Sequence, residues 1–296
     1  MPGKVLKRVG GRPILSHVLE RAGLIPGVDE VVLTTTPERE DLPLTLLCTE
    51  AGVTCTRGQG PLAGQPGRRD VLAGYALAAR ETKADVVVRI TSDCPLLDPA
   101  VAGLVLDALL DSGALYASNV HPPTWFDGCD VEVFTRGVLE RAAHDATPSE
   151  REHVTTYMYR AWSATPYLAN GCPVEAVVNV RAPGHLDVSA LKLSVDDHRD
   201  LERVRRVYAA LRPGARGWRD VLEAYHRTFP SVAEVRAREL YGDGRSHGAE
   251  PLRAAFVAGA AAVIEGTGNP YPDGSPLSAA WTLGRADAAG LGYGTA

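Results

Sequence analysis

The sequence predicts an α/β fold around a mostly parallel mixed sheet, and three observations support that prediction. Short runs of β-branched residues alternate with helical patterns along most of the chain. One run, DVVVRIT from Asp85, is apolar on both faces as far as Arg89, as expected of a buried parallel strand. The chain has 296 residues, of which 45% are hydrophobic, enough for one large domain or two ordinary ones.

Six segments have the composition of strands. In chain order they are EVVLTTT from Glu30, DVVVRIT from Asp85, ALYASN from Ala114, DVEVFT from Asp130, VEAVVNV from Val174 and LKLSVD from Leu191. Helical patterns span Pro13–Gly23, Arg69–Lys83, Pro99–Ser112, Pro148–Trp162 and Asp197–Leu211, and another occupies GWRDVLEAYHRTFP. The first of these has proline in its opening turn and glycine at its end, which is typical of a helix.

The composition changes after Pro230, where the last helical pattern ends. From Ser231 the chain becomes rich in glycine and alanine and has too few large apolar residues for a core of its own. We therefore expect one domain over residues 1–230. Residues 231–296 are expected to form an extension that is either disordered or a remnant of another fold.

Charge and cysteine usage argue against several classes of protein. The net charge is -5, which disfavours nucleic acid or an anionic membrane as the main partner. No apolar run approaches the roughly 18 residues of a membrane span, and no signal-peptide pattern is visible. The five cysteines include no CxxC pair, which argues against a zinc site and a full disulfide framework. We expect a reduced, cytoplasmic protein.

An aspartate follows the apolar strand from Asp85. In RITSDCPLLDP the strand continues into Thr91, Ser92 and Asp93 before Pro95 ends it. Ligands of open α/β sheets lie beyond the carboxyl ends of strands. A carboxylate there suits a hard cation such as Mg²⁺ in the company of phosphates. The alternative is an Asx-type turn ahead of Pro95 that binds no ligand.

A second aspartate ends the last predicted strand, LKLSVD. Asp196 is either a metal ligand or the cap of the following helix, and Asp197 is equally well placed to cap it. Taken alone, Asp196 is more simply explained as a cap. Asp93 and Asp196 would meet on one metal if their strands were close in the sheet, which the sequence does not show.

A third group of polar residues lies on the predicted strands from Ala114 and Asp130. Asn119 ends a predicted strand, and Asp130 and Glu132 alternate with valines along the next, which puts both acids on one face. That face is either solvated or lines a pocket for a hydroxyl-rich substrate. His153 lies near the start of a predicted helix, where histidine more often packs or hydrogen-bonds than catalyses.

Basic residues accompany a glycine-containing loop at the start of the sequence. Lys4 follows Pro2 and Gly3, and Arg8 is close by. Backbone N–H groups of such loops approach phosphates, and the lysine adds positive charge. The Walker pattern GxxxxGK[ST] does not occur, so this is not a Walker loop.

Together these stretches resemble the cytidylyltransferase-like family of spore-coat polysaccharide biosynthesis, which is related to the acylneuraminate and 3-deoxy-manno-octulosonate cytidylyltransferases. The resemblance runs from residue 1 to about Phe229. It rests on MPGKVLKRVGGRPILSHVLERA, TTTPEREDLPL, TRG…RRDVLAGYALAA, ADVVVRITSDCPLLDP, YASN…PTWFDGCDVEVF, REHVT and LKLSVDDHRDLERV, which occur in this order.

The resemblance implies a nucleotide-diphospho-sugar transferase fold, a three-layer α/β/α sandwich around a mixed sheet. It also implies that CTP and a sugar or sugar acid give a CMP-sugar and pyrophosphate, and that the protein tends to form a homodimer. By matched motif, Asp93 and Asp196 would hold Mg²⁺, and Lys4 would be catalytic and meet the CTP phosphates. The nucleotide side would also include Arg8, Arg89 and Ser92. The sugar side would be lined by Asn119, Asp130, Glu132 and His153.

The sequence departs from the family pattern at both ends. The family begins with a strand and a loop of the type I-Q-A-R-x-x-S-x-R-L that runs into P-G-K, whereas here only Met-Pro-Gly-Lys stands before Val5. We therefore expect a fold that lacks the family's first strand. Residues 254–287 faintly resemble the opening of class III pyridoxal-phosphate aminotransferases. No lysine follows Lys192, so we expect no pyridoxal phosphate chemistry.

Two further functions compete with the cytidylyltransferase. One is a glycosyltransferase of related fold that uses a nucleotide-sugar, for which a DxD motif at a strand end would argue. The other is an inactive, truncated relic that lacks the nucleotide loop. The identity of the sugar and the preference for CTP over other nucleotides do not follow from the sequence.

Overall fold

The computed structural model describes residues 1–162, 166–169, 172–183 and 186–229. The helices are α1 (Ile14–Ala22), α2 (Leu42–Ala51), α3 (Val71–Thr82), α4 (Pro99–Ser112), α5 (Arg136–Asp145), α6 (Thr156–Trp162), α7 (His198–Ala210) and α8 (Trp218–Thr228). The strands are β1 (Arg8–Val9), β2 (Arg12–Pro13), β3 (Val32–Thr34), β4 (Thr54–Thr56), β5 (Val86–Arg89), β6 (Tyr116–Ser118), β7 (Glu132–Thr135), β8 (Pro166–Ala169), β9 (Cys172–Glu175) and β10 (Val177–Asn179). Short 3-10 turns lie at Lys4–Leu6 and Arg39–Asp41.

A mixed four-stranded sheet in the order β10-β6-β7-β5 forms the centre of the fold. Strand β10 runs parallel to β6, whereas β6 and β5 both run antiparallel to β7. Strands β3 and β4 form a separate parallel pair. The α/β class and the mixed sheet are confirmed.

One pairing differs from the sequence prediction. The apolar run from Val86 to Arg89 predicted a parallel strand, but β5 pairs antiparallel with β7. An apolar strand shows that both faces of the sheet are covered, and helices cover them whichever way the neighbouring strand runs.

Helices cover the two faces of this sheet and give the fold three layers. Along β6 and β7, Ala117 and Val133 pack with α4, whereas Tyr116 and Phe134 face the opposite side. On that opposite side lie α3, α5 and α6, which contribute Leu72, Ala76, Ala79, Val138, Leu139, Ala142 and Met158 to the core. The alternation along each strand therefore explains why both layers are apolar.

The helices with clear end signals lie where the sequence places them. Helix α4 has the predicted bounds, and α1, α3 and α7 lie within two residues of theirs. The pattern Pro148–Trp162 is helical only from Thr156. Val154 adopts a left-handed φ of 55°, which a continuous helix does not allow.

Two predicted strands also change. VEAVVNV is divided between β9 and β10, with Ala176 between them. LKLSVD is not a strand, since its only ladder contact among the described residues is one isolated bridge from Lys192 to Asp127. The expected extension at residues 231–296 lies outside the described residues. In the described part of the chain, no helix is long and apolar enough to cross a membrane.

Candidate active site

Three segments that are distant in sequence are joined through their backbones beyond the carboxyl end of β5. They are the loop that follows β5, the turn between β6 and β7, and the segment before α7. Val195 N–H donates to the carbonyl of Asp93 over 3.0 Å, which joins the first and third segments. Asp127 N–H donates to Leu191 over 3.0 Å, and Leu193 N–H donates back to Asp127 over 2.7 Å. The side chains of these segments are therefore brought to one place.

Gly128 allows two of these segments to approach closely. Its φ is +112°, and a Cβ at this position would lie 2.8 Å from both the carbonyl carbon of Leu193 and the nitrogen of Ser194. Both neighbours are backbone atoms, so they cannot move aside as a flexible side chain would. Glycine is therefore required where the turn meets the segment before α7.

Lys4 links the two aspartates that the sequence singled out. Its Nζ lies 2.6 Å from Asp93 Oδ2 and 2.8 Å from Asp196 Oδ1. Burial favours the neutral amine, but the hydrogen bonds to Asp196 and Asp93 outweigh it and raise the pKa of Lys4. The predicted meeting of Asp93 and Asp196 is thus present, with an ammonium group between them.

Lys192 is a second lysine of the site. Its Nζ contacts Asp196 Oδ2 at 2.6 Å, Ser194 Oγ at 2.8 Å and Asp127 Oδ2 at 3.2 Å. The hydrogen bond from Lys192 is the largest cause, and that from Lys4 the next, of a pKa of Asp196 that is lowered to about 2. Both oxygens of Asp196 are therefore held by cations, one by each lysine.

Asp197 and Asp196 have different roles. Asp197 caps α7, since its Oδ1 accepts from the N–H groups of Arg199 at 2.7 Å and Asp200 at 2.9 Å. Asp200 Oδ2 accepts in return from Asp197 N–H at 3.3 Å, which completes a capping box. Because Asp197 caps the helix, the carboxylate of Asp196 remains available to the site.

Asp130 has the most strongly altered acidity among these carboxylates. Burial is the main cause, and the charges of Asp127, Glu132 and Asp93 add to it, so that the pKa of Asp130 rises to about 7. Burial raises the pKa of Asp93, but the hydrogen bonds from Lys4 and Thr91, together with the charge of Lys4, outweigh burial and lower that pKa overall. The site therefore contains carboxyls that differ in charge at neutral pH.

Arg89 and Glu132 form a buried ion pair within the sheet. They are register partners on β5 and β7, and Glu132 also accepts a 2.6 Å hydrogen bond from the hydroxyl of Tyr116. Glu132 is 5% exposed. Arg89, predicted for the nucleotide side, and Glu132, predicted for the sugar side, thus bind each other.

The other predicted site residues lie in different surroundings. The buried amide of Asn119 donates to Cys129 O and accepts from Val131 N–H, both at 2.8 Å, and so braces the loop that leads to Asp130. Arg8 belongs to the β1–β2 hairpin, where its guanidinium binds the carbonyl of Gly11.

Ser92 lies next to Asp93, at the end of a groove beside β5. His153 is exposed in the loop before α6. None of the described hydrogen bonds or ion pairs joins Arg8, Ser92 or His153 to Lys4, Asp93 or Asp196.

The sequence prediction did not include Lys192, Ser194 or Asp127. In LKLSVD, Lys192, Ser194 and Asp196 alternate with Leu191, Leu193 and Val195. The alternation puts them on one face whether or not the segment pairs as a strand. That pattern could have added Lys192 and Ser194 to the site, since Asp196 was already assigned to it.

The site suits a hard cation that is bound both by carboxylates and by a phosphate. The described residues contain no cluster of three or more His, Cys, Asp or Glu side chains that could hold a metal. Asp93 and Asp196 nevertheless converge on one cationic group, so both carboxylates face the same small volume. Mg²⁺ is commonly held by one or two carboxylates and takes its remaining oxygens from water and substrate phosphates.

Comparison with known proteins identifies similar chains. The family described as cytidylyltransferase matches residues 1–171. The 3-deoxy-manno-octulosonate cytidylyltransferase of Anaeromyxobacter dehalogenans is 28% identical over 232 residues, which cover 71% of this chain and 92% of that protein. The spore coat polysaccharide biosynthesis protein SpsF of Bacillus subtilis is 25% identical over 213 residues, or 70% of this chain and 80% of that protein.

A solved structure shares the fold. A cytidylyltransferase from Leptospira borgpetersenii superposes with a TM-score of 0.67 at 25% identity, over 77% of this chain and 88% of that one.

Proposed function

This chain belongs to the cytidylyltransferase family, and we propose that it makes a CMP-sugar from CTP and a sugar or sugar acid, with release of pyrophosphate, for surface polysaccharide biosynthesis. The observation that carries the proposal is the convergence of Asp93 and Asp196 on Lys4 beyond the end of β5. Two carboxylates and an ammonium at one point suit a nucleoside triphosphate that binds with a divalent cation.

Asp93 and Asp196 would hold Mg²⁺, which would neutralise charge on the triphosphate when bound. Lys4 would bind the phosphates, and Lys192 would keep Asp196 directed at the site. Nucleotidyl transfer depends mainly on such positioning and charge neutralisation. Magnesium dependence is a proposal, supported by the oxygen-rich donor set.

Asp130 is the carboxyl best suited to act on the sugar. In the proposed reaction a sugar hydroxyl attacks the α-phosphate and must lose its proton. A carboxyl with a pKa of about 7 accepts a proton more readily than an ordinary aspartate does. Its position near Asp93, which contributes to its altered pKa, puts it within the same site.

Neither the sequence after β5 nor the contacts of Glu132 favour the glycosyltransferase alternative. Asp93 is followed by Cys94 and Pro95, so this strand end offers no DxD. The other acidic pair is Asp130 and Glu132, and Glu132 is bound inside the sheet to Arg89 and Tyr116. The homodimer and the cytoplasmic location remain predictions.

The substitution Asp93→Asn tests the proposal. It keeps the shape of the side chain and removes its charge, so we expect pyrophosphate release from CTP in the presence of Mg²⁺ and a panel of sugars to fall at least about 100-fold. Calorimetric titration with Mn²⁺ should show weaker metal binding, and the protein should stay folded with a free energy of unfolding lower by about 1–3 kcal/mol, because the charged hydrogen bond to Lys4 is weakened.

Asp107→Asn is the matched control, since Asp107 is exposed on α4. It should leave both pyrophosphate release and Mn²⁺ binding unchanged. Full activity in Asp93→Asn would reduce Asp93 to a turn residue. Sugar transfer from a nucleotide-sugar by the unsubstituted chain, without pyrophosphate release from CTP, would support the glycosyltransferase instead.

A further inference from the structure

A pocket separate from the candidate active site lies between α1 and the end of α7. It has a volume of about 290 Å³ and is lined by the second half of α1, by Arg12 of the β1–β2 hairpin, and by the end of α7 with the turn that follows it. Helix α7 begins just after Asp196 and Asp197, and its 13 residues span about 20 Å. None of the residues that line the pocket belongs to the cluster around Lys4.

Arginines dominate the charge of this pocket. Its charged lining residues, as far as the structure describes them, are Arg12, Arg21, Arg212, Arg216 and one acid, Glu20. Glu20 accepts from Arg12 at 2.5 Å through Oε2 and from Arg216 at 2.5 Å through Oε1. The hydrogen bonds from Arg216 and Arg12 lower the pKa of Glu20 to about 2. One ionised carboxylate therefore holds two guanidinium groups at the mouth of the pocket.

Arg21 is a buried cation of the same pocket. It is 4% exposed, and none of the ion pairs among the described residues includes it. Its Nη1 donates to the carbonyls of Leu97 at 2.6 Å and Arg216 at 2.9 Å, and none of the described hydrogen bonds uses its Nε or Nη2. Burial is the main cause of a lowered pKa of Arg21, which the charge of Asp98 opposes. Because buried charges are normally paired, an anion beside Arg21 would supply the missing partner.

The negative charges near the pocket do not neutralise it. Glu20 carries one charge, and the carboxyl ends of α1 and α7 carry about half a charge each. Asp98 accepts 2.7 Å hydrogen bonds from the N–H groups of Ala100 and Trp218, at the positive ends of α4 and α8, which offset its charge. Even without Arg212, the arginines therefore exceed the negative charge around them by about one unit.

Two neutral side chains complete the polar lining. The Nε2 of His17 donates to the carbonyl of Val9 over 2.8 Å, since the carbonyl can only accept. Burial is the main cause of a lowered pKa of His17, and the charges of Arg12 and Arg21 add to it. The ring is therefore neutral, and its Nδ1 is a hydrogen-bond acceptor. The ring of Tyr208 lies against it, with the two ring centres 4.8 Å apart.

These properties suit a small phosphorylated ligand. Planar guanidinium groups bind phosphate oxygens through paired N–H groups, and a volume of about 290 Å³ is close to the lower limit of small-molecule pockets. We propose that this pocket binds the phosphate group of a small molecule, with Arg21 at its base and Arg12 and Arg216 at its mouth. His17 Nδ1 would accept from a hydroxyl of the ligand. This inference does not rest on the proposed transferase activity.

Titration of the full chain by nuclear magnetic resonance tests the proposal. The probes are inorganic phosphate, glucose 6-phosphate and unphosphorylated glucose, with a chelator present and CTP absent. Backbone amide shifts of residues 214–216 report the pocket, and those of Asp93 and Asp196 report the candidate active site. We expect both phosphate probes, and not glucose, to shift residues 214–216 with a dissociation constant below about 10 mM. The tighter of the two probes shows whether a free or a sugar-bound phosphate is preferred.

Substitutions at the mouth of the pocket sharpen the test. Arg216→Met and Arg12→Met each remove one guanidinium group and should weaken phosphate binding at least about tenfold. Their pairs with Glu20 are exposed, so both variants should remain folded. Arg80→Met, at an exposed arginine on α3, is the matched control and should bind phosphate as the unsubstituted chain does. Arg21 is kept, because its two carbonyl bonds support the fold.

Three outcomes would overturn the proposal. One is the absence of shifts at residues 214–216 below about 10 mM of either phosphate probe. Another is equal binding by Arg216→Met, Arg12→Met and the Arg80→Met control. The third is a set of shifts confined to Asp93 and Asp196, which would place the phosphate in the candidate active site. Failure to release pyrophosphate from CTP would contradict the proposed function alone.

Discussion

Two groups of charged residues lie at the end of the central sheet, and they differ in how firmly their charges are held. In the Arg89–Glu132 pair, both partners sit inside the sheet and Tyr116 holds the remaining oxygen of Glu132. In the cluster of Lys4, Lys192, Asp93 and Asp196, the side chain of Asp196 is 57% exposed and is shared by two lysines. The first group is held within the sheet, whereas the second opens to solvent on the side of Asp196 and Lys192.

The difference shows that burial, more than residue type, decides what a carboxylate does. Glu132 and Asp196 are both acids at strand-like segments, and both bind cations. Removing the partner of a buried charge costs several kcal/mol. An exposed pair contributes only about 0–1 kcal/mol, so its members can exchange partners. Only in the exposed group can a carboxylate exchange its ammonium for a metal ion, and the ammonium its carboxylate for a phosphate, at little cost to the fold.

The largest expected effect comes from breaking the buried pair. Glu132→Gln leaves the Arg89 guanidinium buried without a countercharge, so the free energy of unfolding should fall by about 3–5 kcal/mol. Chemical denaturation in urea measures it. The double variant Arg89→Met with Glu132→Leu removes both charges and should recover most of the loss. If Glu132→Gln lowered the free energy of unfolding by less than about 1 kcal/mol, the Arg89–Glu132 pair would behave like a solvent-exposed ion pair.

The pH dependence of Asp130 gives the next largest effect. The pKa of Asp130 is about 7 in the folded protein against an ordinary value of 3.8. The folded state therefore binds this proton more tightly, and the contribution of Asp130 to stability falls as the pH rises from about 4 to 7.

Asp130→Asn cannot titrate. The difference in free energy of unfolding, variant minus unsubstituted protein, should therefore be about 2 kcal/mol more favourable to the variant at pH 8 than at pH 5. Urea denaturation at both pH values, with a chelator present, measures the change. An equal difference at pH 5 and pH 8 would show that folding does not raise the pKa of Asp130.

The smallest effect on stability is expected in the exposed cluster. Lys192→Met should change the free energy of unfolding by less than about 1 kcal/mol, because the side chain of Lys192 is 38% exposed and its pairs are screened by solvent. Pyrophosphate release should nevertheless fall at least about tenfold, since Asp196 loses one of its two cations. Lys7→Met, at an exposed lysine, is the control. A loss of stability above 2 kcal/mol would make Lys192 a structural residue.

Much of the fold could be predicted from local sequence because its signals are local. Proline and glycine mark the ends of α1 and α4, and β-branched runs mark β3, β5 and β7. Helix α2 was not predicted, because its apolar residues surround the axis and show no single face. The segment LKLSVD alternates like a strand, but its nearest neighbour is the turn at Asp127, which offers one bridge and no ladder.

The site could be predicted only in part because its geometry depends on distant contacts. Asp93 and Asp196 were expected to meet if their segments were neighbours, and the backbone bond from Val195 to Asp93 makes them so. Alternation placed Asp130 and Glu132 on one face. Strand register put Arg89 opposite Glu132, and no local pattern reveals register between strands.

Lys4 contacts Asp93, which is 89 positions away in the chain, and Asp196, which is 192 positions away. A growing or truncated polypeptide that stops before Asp196 lacks one side of the site, however well its earlier helices form. Closing loops of this length costs chain entropy before any contact repays it. The site can therefore form only once the chain has been made as far as Asp196, and its formation would report that these distant segments have come together.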